Sequence, residues 1–362
     1  MRYLAKVFCI LLIFSCSEKQ IPDPSPSEIY FPPTGSNTWE ASSPSSLDWD
    51  STQIGDLLTL LEGNGTRAFI ILKDGKIVLE EYFGTRLATN QAFDKNSLWY
   101  WASAGKTLTA ATIGIAAEQN KMDIFASSSK YLGEGWTSLT RDAEQEINVW
   151  HHLTMTSGIN DDVANLNDFS PENLRYQSEP GLRWAYHNAL YTLLYNVVES
   201  ATGMSFNDFF NQNLASKIGM TGSWQRIGFN NVYFSNARSM ARFGLFILAN
   251  GEWDGVSVLS KDFVQEMIST SQSINESYGY LWWINGKNSF MVPSIQAQFP
   301  GSFAPNAPDD MVCGIGKDGQ YICVVPSSGI VLVRMGENPD QALVPFRFID
   351  DIWKELNNII VQ

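Results

Sequence analysis

The chain is short of cations. Lys and Arg number 24 against 38 Asp and Glu, a net charge of -14 over 362 residues. Binding a phosphate backbone depends on clustered cations and the counterions they release, so no nucleic-acid partner is expected. Charge of either sign is scarce: DEKR supply 17% of the sequence, against about 25% in ordinary globular chains. Hydrophobic residues supply 44%, enough for a sizeable core and too many for a disordered chain. Histidines number three. His151 and His152 are adjacent and His187 stands apart, with no H-x-x-E-H pattern and no cysteine pair at ligand spacing, so no metal is expected. P-loops and repeats at solenoid or propeller period are also missing. Gly314-x-Gly316-x-x-Gly319 has the formal spacing of a dinucleotide site, but it precedes a strand instead of opening a helix and so lacks a phosphate cradle. No cofactor is expected.

Long hydrophobic runs are missing as well. Val7 to Phe14, behind Arg2 and Lys6, falls well below the ~20 residues that span a bilayer. It reads as a secretory signal, not a membrane span. Ile13-Phe14-Ser15 before Cys16 resembles the lipobox of bacterial lipoproteins. That resemblance implies lipidation of Cys16 and a place in the bacterial cell envelope, periplasm or outer membrane, with the lipid as the only membrane contact; ordinary cleavage near Ser15 is the alternative. Residues 1–16 are then signal. Residues 17–49, rich in Pro and Ser without an apolar period, are expected to tether a folded body at 50–362. Of the four cysteines, Cys313 and Cys323 remain, in an oxidising compartment. A hairpin turn centred near Lys317 would set them one position out of register, so a disulfide and two buried thiols both stay open.

At roughly 150 residues per domain the length allows two domains or one large one with an insertion. Ile54, Leu57, Leu58 and Leu61 recur at helical spacing. Arg67 to Leu72 and Lys76 to Phe83 then flank Lys73-Asp74-Gly75, a hairpin signal. Helical patterns dominate from Lys106 to about Ser271, among them a run from Leu190 to Ala201 stopped by Gly203 and a segment from Ser239 to Asn250. Strands return at Tyr278 to Ile284, Met311 to Gly314, Gln320 to Val325 and Ile330 to Met335, before an amphipathic helix from Phe346 to Ile360. This order predicts an α+β fold: a central antiparallel sheet built from both termini, flanked by helices, with a mainly helical insertion at about 107–275.

Two spacings carry chemistry. Lys106 and Lys130 each have a serine three residues earlier, at Ser103 and Ser127, and at helical pitch that places both side chains on one face. A serine hydroxyl becomes a nucleophile only when a base takes its proton, and a desolvated lysine can serve. Ser103 and Lys106 precede the apolar run from Leu108 to Ala117, as expected at the start of a buried helix. Ser127 lies in a polar Ser-Ser-Ser stretch and reads as coincidence. Of the 13 tyrosines, Tyr186 alone has an asparagine two places on, Asn188. A phenol beside an ammonium can shuttle a proton, and an amide can orient lysine or hold a substrate carbonyl. Trp99, Trp101, Trp184, Trp282 and Trp283 could line a cleft, although most are expected in the core.

The order Ser103-x-x-Lys106, Tyr186-x-Asn188, then a glycine-rich turn beside a strand resembles the penicillin-recognising serine hydrolases, in particular their class C β-lactamase-like branch of esterases, D-amino-acid peptidases and aminohexanoate-oligomer hydrolases. Leu153 to Gly158, Tyr191 to Val197 and Gln320 to Met335 support the resemblance, which covers roughly residues 50 to 355. It implies a covalent acyl-enzyme on Ser103, Lys106 as base partner, Tyr186 as proton shuttle and Asn188 as a substrate or lysine-orienting group, acting on an ester or amide in a small molecule or peptide. The third motif departs: where Lys-Thr-Gly or His-x-Gly is usual, this chain has Gly314-Ile315-Gly316-Lys317-Asp318-Gly319. Gly316, Lys317 and Gly319 are the expected substrate-binding positions, since a glycine-lined strand edge lets a backbone N–H close an oxyanion hole with that of Ser103. The competing class is a non-catalytic envelope protein that binds peptidoglycan-type peptides.

Overall fold

The computed structural model describes residues 29–340 and 342–360. The expected signal, Cys16 and the first part of the tether lie outside the described residues. After helix α1 (Ile54–Gly63), strands β1 (Thr66–Lys73) and β2 (Lys76–Tyr82) form the expected hairpin. Asp74 and Gly75 at its turn both have positive φ, 47° and 83°, the backbone that a two-residue turn between right-twisted strands demands. A short strand β3 (Trp99–Tyr100) leads into helix α2 (Lys106–Glu118). Then come the small helices α3 (Ser129–Leu132), α4 (Arg141–Gln145) and α5 (Val149–Leu153), the long α6 (Asn188–Thr202), α7 (Phe206–Phe210), the hairpin β4 (Gly222–Ile227) and β5 (Asn230–Ser235), and helix α8 (Ala237–Leu248). Hairpin β6 (Glu252–Trp253) and β7 (Val256–Ser257), helix α9 (Lys261–Met267), β8 (Trp283–Ile284) and hairpin β9 (Ser289–Val292) and β10 (Ile295–Pro300) follow. The chain closes with β11 (Val312–Gly316), β12 (Gln320–Val325), β13 (Ile330–Gly336) and helix α10 (Phe346–Ile359).

The main sheet runs β2-β1-β13-β12-β11-β8 and every pair is antiparallel. Both chain ends therefore contribute, as the element order predicts. β12 and β13 are buried along their whole length, which is why they read as apolar runs without alternation. The insertion is less helical than expected: β3, β5 and β4 make a second, three-stranded sheet, with Gly228 at φ 58° turning the β4–β5 hairpin. The strand expected at Tyr278 to Ile284 shrinks to Trp283–Ile284. Its first half cannot join the sheet, because Gly279 passes so close to Met267 that a Cβ would lie 2.3 Å from the Met267 carbonyl oxygen, and Leu281 turns at φ 63°.

Two further expectations are corrected. Cys313 and Cys323 face each other across β11 and β12 and form a disulfide, with Cα atoms 4.1 Å apart. The turn centres on Asp318, not Lys317, because Asp318 and Gly319 both take positive φ, and that one-residue change brings the cysteines into register. Residues 29–49, expected as tether, pack on the body: Ile29 and Trp49 are buried. The buried guanidinium of Arg242 donates to the carbonyls of Pro32, Pro33 and Ser36, and Trp39 Nε1 donates to Gly75 O at 2.7 Å. A proline-rich segment has carbonyls to spare and a buried guanidinium needs acceptors; this polar match leaves no trace in hydrophobic periodicity.

Candidate active site

Ser103 is set by the strand before it and the helix after it. The backbone N–H of Trp101 donates to Tyr233 O at 2.8 Å, and its indole N–H donates to Ser235 Oγ at 2.7 Å. Ala102 then reverses at φ 46°, a left-handed conformation that costs a non-glycine residue on the order of 1–3 kcal/mol and persists where the surroundings over-determine it. A tight turn over Ala102–Gly105 runs directly into α2. Strand β11 presses on this turn. A Cβ at Gly316 would lie 2.5 Å from Trp101 O and 3.1 Å from Ala102 Cβ, and one at Gly314 would lie 2.9 Å from Thr107 Cγ2, so only glycine allows the approach.

Lys106 Nζ lies 2.8 Å from Ser103 Oγ and 2.9 Å from Asn188 Oδ1. It is buried, and burial alone pulls its pKa down to about 7; among the described residues no carboxylate pairs with it to restore the charged form. Asn188 opens α6, and its own amide donates to Asn167 Oδ1 at 2.9 Å, which fixes the flip that turns Oδ1 toward Lys106. Tyr186 is also buried. Burial pushes its phenol well above the usual range, partly offset by a hydrogen bond with Ser103. Its ring stacks on Trp283 at 6.0 Å and 13°. Nearby backbone holds the segment in place: Ala185 N–H donates to Met155 O at 2.8 Å and His187 N–H donates to Met155 Sδ at 3.4 Å. Met155 belongs to the Leu153 to Gly158 stretch singled out in the sequence.

The four residues of the first two motifs thus converge, while the third motif divides. The Met311 carbonyl accepts from Asn285 N–H at 2.9 Å on the outer edge of the sheet. Strand alternation then turns the N–H and C=O groups of Cys313 and Ile315 to that same edge; Gly316, still extended at φ -113° and ψ 158°, carries the alternation on to the N–H of Lys317, whose carbonyl accepts from Gln320 Nε2 at 3.4 Å. β8 pairs only with Val312 and Cys313, so it ends before Ile315 and Lys317, beside the Ser103 turn. Gly316 is the close-packing residue already described. Gly319 faces elsewhere: a Cβ there would meet the guanidinium of Arg334 at 2.5 Å, whose Nη1 donates to the carbonyls of Asp318 and Gly319. Gly319 therefore shapes the turn against Arg334 and, of the expected binding positions, is not brought to the Ser103 turn as Gly316 is. The Lys317 side chain is exposed, and the Asp318 carboxylate accepts from Tyr100 OH at 2.8 Å.

The decoy pair meets only through its backbone, Lys130 N–H donating to Ser127 O at 3.0 Å, and the two side chains have other partners. Ser127 Oγ accepts from the N–H of Ser129, and Lys130 extends over the ring of Tyr131. Buried His152 bonds Ser128 Oγ and Leu190 O, and His187 Nε2 bonds Asn160 O. These are structural histidines, each held neutral by burial with a pKa of about 4. All five tryptophans named above are buried, so the tryptophans pack the core, with Trp283 backing the site. Sequence reasoning missed Asn167, which sits in an aperiodic loop with no signal to find it. It also missed Tyr191, whose position three residues after Asn188 on a helix was signal enough.

Beyond the site, residues 63–340 of the chain match the model of the β-lactamase family. The chain belongs to the β-lactamase family. This β-lactamase-family chain is similar, at 23% identity over 335 residues covering 81% of this chain and 78% of the relative, to the 6-aminohexanoate-dimer hydrolase of Paenarthrobacter ureafaciens. It is 26% identical over 182 residues to penicillin-binding protein 4* of Bacillus subtilis (strain 168), covering 43% of this chain and 37% of that one. The octameric penicillin-binding protein homologue from Pyrococcus abyssi shares its fold, with a TM-score of 0.62 at 16% identity over 84% of this chain and 76% of that chain. The family and its hydrolase relatives make the chain a serine hydrolase of the amidase or esterase type.

Proposed function

We propose that Ser103 forms the covalent acyl-enzyme, with Lys106 and Tyr186 as its proton-transfer groups, in a member of the class C-like branch. The observation that carries this reading is the 2.8 Å contact between Ser103 Oγ and a lysine whose pKa is lowered to about 7, so that near neutral pH a large fraction is the free amine that can take a proton. Ser103 Oγ attacks the carbonyl carbon while its proton passes to Lys106 Nζ. The oxyanion is held by the N–H groups of Ser103 and Lys317, the latter the first residue beyond the end of β11. Collapse breaks the bond to the leaving amine or alkoxide, which receives a proton by way of Tyr186. Water then attacks the acyl carbon and gives one proton to the same pair of groups; the bond to Ser103 Oγ breaks, Oγ takes that proton back, and the acid is released. Asn188, fixed by Asn167, keeps Nζ aimed at Oγ.

The open edge of β11 suits an extended acyl or peptide segment that pairs as an added strand. The cation of the usual third motif is missing, since Gly314 stands at the start of the glycine-rich stretch and has no room for a side chain. Small esters and amides, the chemistry named by the aminohexanoate relative, are therefore the proposed substrates, and anionic β-lactams poor ones. In the cell we place the protein on the bacterial envelope through a lipid on Cys16, on the strength of the lipobox resemblance; among the described residues no helix is long and apolar enough to cross a membrane. Hydrolysis of p-nitrophenyl acetate by purified protein tests the catalytic reading: turnover that disappears in Ser103→Ala is expected. Equal turnover in that variant would move the nucleophile elsewhere, and no turnover by any form would favour a peptide-binding role.

A further inference from the structure

Lys106 is enclosed by aromatic faces. Its Nζ lies 4.5 Å from the ring centroid of Tyr191 and 5.0 Å from that of Tyr186, both inside the roughly 6 Å reach of a cation–π contact. Tyr191 is three residues beyond Asn188 on α6, so one face of that helix presents the amide that accepts from Nζ and the ring beside it. The far end of the ring is clamped. Tyr191 OH shares a 2.9 Å hydrogen bond with Tyr195 OH, and Thr109, three residues beyond Lys106 on α2, donates to Tyr191 OH at 3.4 Å. Tyr195 meets the Tyr191 ring edge-on at 5.8 Å and is itself wedged against Phe206 and Trp224. The Tyr191 hydroxyl is thus occupied away from the amine and only the ring face is offered to it.

The groups that face Lys106 can be named by element. Ser103 comes from its own turn, Tyr186 from the segment before α6, and Asn188 and Tyr191 from α6 itself; β11 brings Gly314 and Gly316, which carry no side chain, against this turn. Among the described residues none of these is a carboxylate. A carboxylate here would fix the proton on lysine, whereas the reaction needs it taken and returned. A ring quadrupole attracts the ammonium more weakly, without accepting its proton.

We propose that Tyr191 is a positioning residue whose ring face holds the Lys106 ammonium in line between Ser103 and Asn188 during acyl transfer. The inference rests on the reading of Lys106 as proton acceptor, and its test keeps the two apart. Tyr191→Phe keeps the ring face; Tyr191→Leu removes it; phenylalanines carrying one, two and three ring fluorines at position 191 weaken the face stepwise at nearly constant shape, which preserves the test if the leucine variant fails to fold. Two readouts are taken: the acid limb of kcat/KM against pH for p-nitrophenyl acetate, and the 13Cε titration of Lys106 by NMR, assigned through its loss in Lys106→Ala. Weakening the face disfavours the cation, so both midpoints move to lower pH. The expected order is fluorine by fluorine, reaching about one pH unit in total, with Tyr191→Phe close to the parent. An NMR midpoint that ignores fluorination, or a Tyr191→Phe variant shifted as far as Tyr191→Leu, would overturn the proposal. If Lys106→Ala turned over at the parent rate, the proton-acceptor reading would fail instead, and the NMR series would still decide whether the ring holds the ammonium.

Discussion

Lys106 and Asn188, 82 residues apart in sequence, share a 2.9 Å hydrogen bond in which the lysine nitrogen donates to Oδ1. That bond ties the start of α2, directly after the Ser103 turn, to the start of α6, and Asn167 fixes its polarity from the other side. Removing Asn167 should therefore weaken catalysis without touching the reacting atoms. Asn167→Ala is expected to lower kcat for p-nitrophenyl acetate about tenfold, the loss of one buried hydrogen bond, with a smaller change in KM. An unchanged kcat would show that Asn188 needs no help.

Lys106 and Tyr186 are expected to act as one proton-transfer unit. Lys106→Ala and Tyr186→Phe should each lower turnover by about 10²- to 10⁴-fold, and the double variant should be little worse than the worse single, because residues that act together are non-additive. Full addition of the two losses in free energy, read from a four-corner cycle, would show independent roles.

The buried lysine weakens the fold. Its pKa falls from 10.5 in the open chain to about 7, so below pH 7 the folded protein carries a desolvated cation. That cost shrinks as pH rises from 7 toward 10.5, where the unfolded chain also loses the proton. Lys106→Met should accordingly raise stability most below pH 7, by up to several kcal/mol, and least near pH 10, while abolishing activity. Chemical denaturation at pH 6 and pH 9.5 measures the difference; a gain that is equal at both would contradict the lowered pKa.

His151, His152 and His187 act at the acid end. Burial lowers each from 6.5 to about 4, so the unfolded chain takes up protons first as pH falls. Stability present above pH 6.5 should then be lost progressively down to about pH 4. His187→Asn, which cannot take up that proton, should flatten the decline over this window in denaturation curves at several pH values; an unaltered slope would mean that His187 titrates alike folded and unfolded.

Much of the framework is legible in the sequence. The Asp74-Gly75 hairpin, the buried run of β12 and the amphipathic α10 announce themselves by period and turn residues, and Ser103, Lys106, Tyr186 and Asn188 by local spacing. The rest depends on long-range polar matching. Nothing in the spacing of Asn167 says that it meets Asn188, and the carbonyls of Pro32 and Pro33 reveal their use only when Arg242 arrives. The pairing of Cys313 with Cys323 turned on one residue of turn geometry, Asp318 in the left-handed region, which alternation alone does not encode.

The central claim is that Ser103 carries the acyl group. Labelling the purified protein with a fluorophosphonate at pH 7.5, followed by peptide mapping by mass spectrometry, tests it most directly. The expected result is a single adduct on Ser103, absent in Ser103→Ala and formed far more slowly in Lys106→Ala, with Ser127 unmodified. An adduct on Ser127, or labelling that persists undiminished in Ser103→Ala, would contradict it.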